Sequence, residues 1–118
     1  VSEFDNQNTP LGWDEFERVD MRVGTIMSAR INEQARKPSY VMEIDFGPLG
    51  LKTSAAQITD RYVVEELPGR QVVAVVNFPP KRIAGIKSEC LVLGAVDADG
   101  VVTLLKPDPQ AANGDRIA

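Results

Sequence analysis

A chain of 118 residues, 43% apolar and 25% charged, has room for one packed domain and too much hydrophobicity to stay disordered. The absence of histidine excludes Ser-His-Asp and Cys-His catalysis and imidazole-bound zinc, and a single cysteine, Cys90, excludes an internal disulfide. The formal net charge of -4 argues against a uniformly basic nucleic-acid binder, yet it is uneven: Glu3, Asp5, Asp14, Glu15, Glu17 and Asp20 face Arg18 alone, and the chain beyond them is close to neutral.

Residues 1–19 read as an N-terminal extension. Val1-Ser2-Glu3-Phe4-Asp5 carries neither the basic flank nor the apolar core of a signal sequence, and no later run reaches the roughly 20 apolar residues of a membrane helix. The expectation is a cytoplasmic protein without membrane insertion. Thr9 as cap, Pro10 in the first turn and Trp13, Phe16 and Val19 at three-residue spacing predict a short helix laid over one open end of the core.

From Met21 the period changes to two. Met21, Val23, Thr25, Met27, Ala29 and Ile31 alternate with Arg22, Gly24, Ile26, Ser28 and Arg30, and Gly24 with the mixed polarity of both faces predicts a long strand that bends or bulges. Strands are predicted over 39–46, over 51–55 after the turn Gly47-Pro48-Leu49-Gly50, and over the wholly apolar 71–76. Thr59 to Leu67, stopped by Pro68-Gly69, reads as a short connecting helix plugging the barrel. Asp97-Ala98-Asp99-Gly100 joins strands over 89–96 and 101–106, and a tail with Pro and Gly forms a C-terminal extension over 107–118. Five main strands, an internal helix and Gly-marked bends make an all-β, five-stranded OB-fold Greek-key barrel over 20–106, with short helices capping it. Cys90, inside Cys90-Leu91-Val92-Leu93, is expected as a buried structural thiol.

Two stretches carry a resemblance. Asp20-Met21-Arg22-Val23-Gly24-Thr25-Ile26 is similar to the opening D-[IM]-R-V-G-x-I strand of the tRNA-binding OB-domain family. Glu65-Glu66-Leu67-Pro68-Gly69-Arg70 through Val76-Asn77-Phe78-Pro79-Pro80-Lys81, with Ile83-Ala84-Gly85-Ile86-Lys87-Ser88, resembles its E-E-L-x-G-[KR] to N-[LF]-x-P-[KR]-x-[IL]-x-G-x-x-S signature. Glu33 to Tyr40, Ile44 to Gly47, Thr53 to Thr59 and Asn77 to Lys81 look specifically like the CsaA branch of export-related chaperones. The resemblance implies a homodimer, a tRNA or structured-RNA partner, and unfolded or export-bound polypeptides or the export machinery as protein partners.

By the same resemblance Arg22, Arg36, Lys37, Lys52, Lys81, Arg82 and Lys87 border one groove, where they would contact phosphates without reading sequence. Asn77 and Ser88 are candidates for base edges or ribose hydroxyls, against the alternative of turn chemistry. Phe78, Pro79, Pro80, Ile83 and Ile86 make a rigid apolar loop that needs a cover, either a dimer partner or a non-native polypeptide segment. No catalytic residue, metal ligand or cofactor is assigned: isolated carboxylates such as Asp45 and Asp60 lack a partner at acid/base spacing. Two functions stand: a non-enzymatic CsaA-type chaperone that also takes tRNA, or a dedicated tRNA- or structured-RNA-binding module of translation.

Overall fold

The computed structural model describes residues 9–118. The first part of the expected N-terminal extension, with Glu3 and Asp5 and the segment tested for a signal sequence, lies outside the described residues. A short helix, α1 (Trp13–Glu17), leads into β1 (Met21–Ile31), followed by β2 (Tyr40–Asp45), β3 (Leu51–Ala56) and β4 (Gln71–Val75). Five shorter strands complete the chain: β5 (Lys81–Ile83), β6 (Ile86–Ser88), β7 (Leu91–Val92), β8 (Gly94–Val96) and β9 (Val102–Leu104). The main sheet is antiparallel in the order β3-β2-β1-β4-β7, a Greek-key arrangement. Two hairpins, β5-β6 and β8-β9, stand outside it.

The sheet curls until β3 approaches the chain just before β7. Glu89 N donates to Thr53 O at 2.7 Å, Ala55 N to Ser88 Oγ at 3.3 Å and Ser54 Oγ to Cys90 O at 3.1 Å, so these bonds nearly close a five-stranded barrel. The expected all-β OB architecture is present. Ile26, Met42, Ile44, Phe46, Leu67 and Val72 fill the interior, all fully buried. Gly24 makes room for them: a Cβ there would stand 2.6 Å from Ile44 Cγ2 and 2.7 Å from the Phe46 ring.

The bend expected in β1 is a bulge, with the register to β2 shifting between Ile26 and Ser28. The two faces read from strict alternation do not persist through it. Val23 and Ile26 are both buried, although they are three residues apart, and Met27, which alternation groups with Val23, is exposed. From Met21 to Thr25 β1 pairs with β4, and from Thr25 onward, on both sides of the bulge, it pairs with β2.

Two expected helices differ. The cap of α1 is Gly12 rather than Thr9, and Gly12 N donates to Glu15 Oε1 at 2.9 Å. Its apolar stripe does not cover the core, because Trp13 is 83% exposed. Between β3 and β4 a single 3-10 turn, Val64–Glu66, replaces the helix expected over 59–67. Ile58 and Leu67 still plug the barrel, but Tyr62 is committed at both ends: its carbonyl accepts from Tyr40 Oη at 2.7 Å and its hydroxyl from Leu104 N at 2.8 Å. Tertiary bonds there override local helix propensity.

The stretch expected as a C-terminal extension runs back along the start of β1. Ile117 N donates to Met21 O at 2.9 Å, Val23 N to Asp115 O at 2.9 Å and Gly114 N to Val23 O at 2.8 Å. Buried Gln71 fixes the approach, donating to Ala111 O and accepting from Ala111 N. Among the described residues no helix is long and apolar enough to cross a membrane.

Candidate functional site

The β5-β6 hairpin is built by its turn. Ala84 and Gly85 take φ of 46 and 81, the two-residue left-handed turn whose twist suits antiparallel strands, and a Cβ on Gly85 would collide with the Gln34 side-chain amide. The register places Lys81 opposite Ser88, Arg82 opposite Lys87 and Ile83 opposite Ile86. Paired residues share a face and neighbours alternate, so Lys81, Ile83, Ile86 and Ser88 lie on one face and Arg82 and Lys87 on the other.

The first face borders an open apolar cavity of about 440 Å³ lined by Phe78, Pro79, Pro80, Ile83, Cys90 and Leu91, among others, with Lys81 at its edge. Phe78 is 55% and Leu91 50% exposed, which leaves a contiguous apolar patch facing solvent. Leu91 belongs to this surface, with buried Cys90 lining the cavity beneath it; neither is assigned to it from sequence, where both sit within one apolar run. Burial pushes the Cys90 thiol up from 9.0 to about 11, partly offset by its hydrogen bond with Ser54 and by the nearby Lys52 charge.

The second face holds like charges directly opposite each other. Arg82 Nη1 donates to Gly85 O at 3.1 Å, and neither Arg82 nor Lys87 has an ion-pair partner among the described residues. Opposed cations repel, so the arrangement favours a bound anion such as phosphate. Arg36 and Lys37 are exposed on the β1-β2 loop, which meets the hairpin tip at a cleft containing Ile83 and Ala84. Lys52, half-buried on β3, stands opposite Ile44 of β2.

Besides Arg82, three of the sequence candidates are bonded within the chain. Arg22 Nε donates to Asp20 Oδ1 at 2.6 Å and its Nη1 to Gly114 O at 3.0 Å, tying the C-terminal stretch to β1. Asn77 Oδ1 accepts from Asp20 N at 3.0 Å while its Nδ2 donates to Arg18 O at 2.6 Å, fastening the exit of α1 to the end of β4. Ser88 is buried and closes the barrel seam. The exposed candidates therefore fall into a cationic set, Arg36, Lys37, Lys81, Arg82 and Lys87, and an apolar set centred on Phe78.

Comparison with known proteins shows the family to which the chain belongs. A family model described as a putative tRNA binding domain matches residues 21–116, which includes the C-terminal stretch paired with β1. The crystal structure of the chaperone CsaA from Bacillus anthracis is 51% identical with a TM-score of 0.88, covering 93% of this chain and 100% of that one. The CsaA chaperone protein from Picrophilus torridus is 46% identical with a TM-score of 0.85, over 92% of this chain and 100% of its own. A methionine–tRNA ligase of Porphyromonas gingivalis is 36% identical over 107 residues, 91% of this chain; the chain spans only 15% of that enzyme's length.

Proposed function

Because the chain belongs to the tRNA-binding domain family, we propose that it works as a non-enzymatic, cytoplasmic homodimer of the CsaA type, holding apolar segments of export-bound polypeptides and binding tRNA or another structured RNA. The observation that carries the reading is the two-sided hairpin: an exposed apolar cavity under Phe78 on one face and the unpaired Arg82 and Lys87 on the other. An apolar patch of this kind suits a second copy of the chain or a non-native polypeptide, which is held by burial alone and needs no nucleotide hydrolysis. Cations without an ion-pair partner among the described residues suit phosphates, and Arg and Lys there position an RNA backbone without reading its sequence. The kinship with methionine–tRNA ligase favours the second reading, a dedicated RNA-binding module of translation with the apolar face used only between protomers.

The test pairs two assays. Changing Lys81, Arg82 and Lys87 to Ala is expected to weaken tRNA binding and to lower the slope of log affinity against log salt by about 0.7–0.9 for each phosphate contact removed. Phe78→Ser, shown to stay folded and dimeric, is expected to lose suppression of aggregation of a denatured client while keeping tRNA affinity. Wild-type protein without client protection leaves the translation module; wild-type protein that is monomeric by sedimentation rejects the homodimer.

A further inference from the structure

The β1-β2 loop carries an unusual polar pair. Asn32 and Ser39, at the two ends of the loop, are each only 4% exposed and are joined by Asn32 N donating to Ser39 O at 3.0 Å. Asn32 Oδ1 accepts from Gln34 N at 3.2 Å, but Asn32 Nδ2 and Ser39 Oγ have no hydrogen-bond partner among the described residues. Buried polar groups are nearly always bonded, so an enclosed, unpartnered hydroxyl on a residue that lines a cleft is free to turn toward a ligand group there.

Ser39 lines such a cleft, about 380 Å³, between the loop, the end of β3 and the tip of the β5-β6 hairpin. The volume lies in the about 300–1,000 Å³ range of small-ligand pockets. The lining is chemically one-sided: Arg36 and Lys37 supply two cations and no lining residue is acidic. The walls are small and apolar, Ala56 and Ile83 among them, and exposed Gln57 adds a side-chain amide. The loop is held against the hairpin where the Gln34 amide fits over Gly85, so the cleft is framed on both sides.

Resting on the RNA-binding part of the proposed function, we propose that this cleft takes one unstacked nucleotide of the bound RNA. Its phosphate meets Arg36 and Lys37, its base lies on the Ala56 and Ile83 surface, and the Gln57 amide, with Ser39 Oγ once its side chain turns to the cleft, bonds to the base edge or ribose. Unstacked bases of loops and ends are where proteins reach hydrogen-bonding edges, and small apolar walls admit a flat ring. A neutral hydroxyl and amide would add discrimination among RNAs that the hairpin cations lack.

The test uses the full chain, 15N-labelled, titrated with tRNA, with a mixed-sequence RNA hexanucleotide and, separately, with an apolar hexapeptide bearing a free carboxyl terminus. Expected are shifts of the Ser39, Ala56 and Gln57 amide signals with the hexanucleotide. Ser39→Ala and Gln57→Ala should each weaken it up to about tenfold with an unchanged salt slope, while Arg36→Ala weakens it and flattens the slope. Gln57 is exposed, so its variant tests the cleft even if Ser39→Ala lowers the thermal midpoint. RNA that shifts only Arg82 and Lys87 overturns the cleft while leaving RNA binding intact. No shift with either RNA overturns both, and shifts in the cleft with the peptide alone assign it to a polypeptide instead.

Discussion

The start of β1 and the β5-β6 hairpin use similar residues to opposite ends. At β1, Arg22 binds Asp20 and Gly114, and Asn77 binds Asp20 and Arg18, so charge and amide are consumed inside the chain. At the hairpin Arg82 and Lys87 oppose each other with no ion-pair partner among the described residues, and Phe78 and Leu91 face solvent. The difference separates what the long family signature does for the fold from what it leaves available to partners. A residue's type does not decide which; its neighbours do.

The strongest way to break this comparison is at the sheet's centre. Gly24→Ala forces a methyl group against Ile44 and Phe46 and is expected to cost about 2–3 kcal/mol by overpacking, read as a lower midpoint of chemical denaturation. If it instead weakens tRNA or client binding in fully folded protein, the sheet and the hairpin are not separable. Next comes the junction between them. Cys90, whose thiol sits at about 11 in the folded chain and near 9.0 when unfolded, favours the folded state while neutral. That contribution is whole below pH 9, because both states then hold the proton, and it is lost as pH rises through about 11. Unfolding midpoints across pH 8–11 should fall, and a Cys90→Ala variant should fall less.

Arg22→Ala is expected to lower stability by about 1–2 kcal/mol, since it leaves Gly114 O and Asp20 without a half-buried charged donor. The salt slope for tRNA should not change; a flatter slope would return Arg22 to the phosphate-binding set. Smallest is Lys87→Ala, expected to stay within about 0.5 kcal/mol in denaturation while reducing the salt slope, the reverse pattern to Arg22.

Much of the fold was readable because β1 to β4 carry period-two patterns, an apolar run and Gly-marked turns. The bulge at Met27 was readable only as a bend: Gly24 signals close approach, but register is set by the partner strand. The 59–67 segment misled because Val63 and Leu67 keep helical spacing while the bonds of Tyr62 run to Tyr40 and Leu104, far along the chain. The β5-β6 turn uses Ala84-Gly85 rather than the Asn-Gly that announces such turns, so the opposite faces of the hairpin were hidden. For the same reason Ser39, an ordinary loop serine by sequence, shows its unpartnered hydroxyl only once the loop is closed.

The pairing of the C-terminal stretch with β1 also sets how the molecule yields to force. Met21 and Ile117 meet at one end of an antiparallel ladder, so tension applied through the two chain ends loads its hydrogen bonds one after another rather than together. Pulled in an optical trap, the domain should open as a zipper from Ile117 inward, at low force, with the barrel core released only after Gly114 has let go of β1.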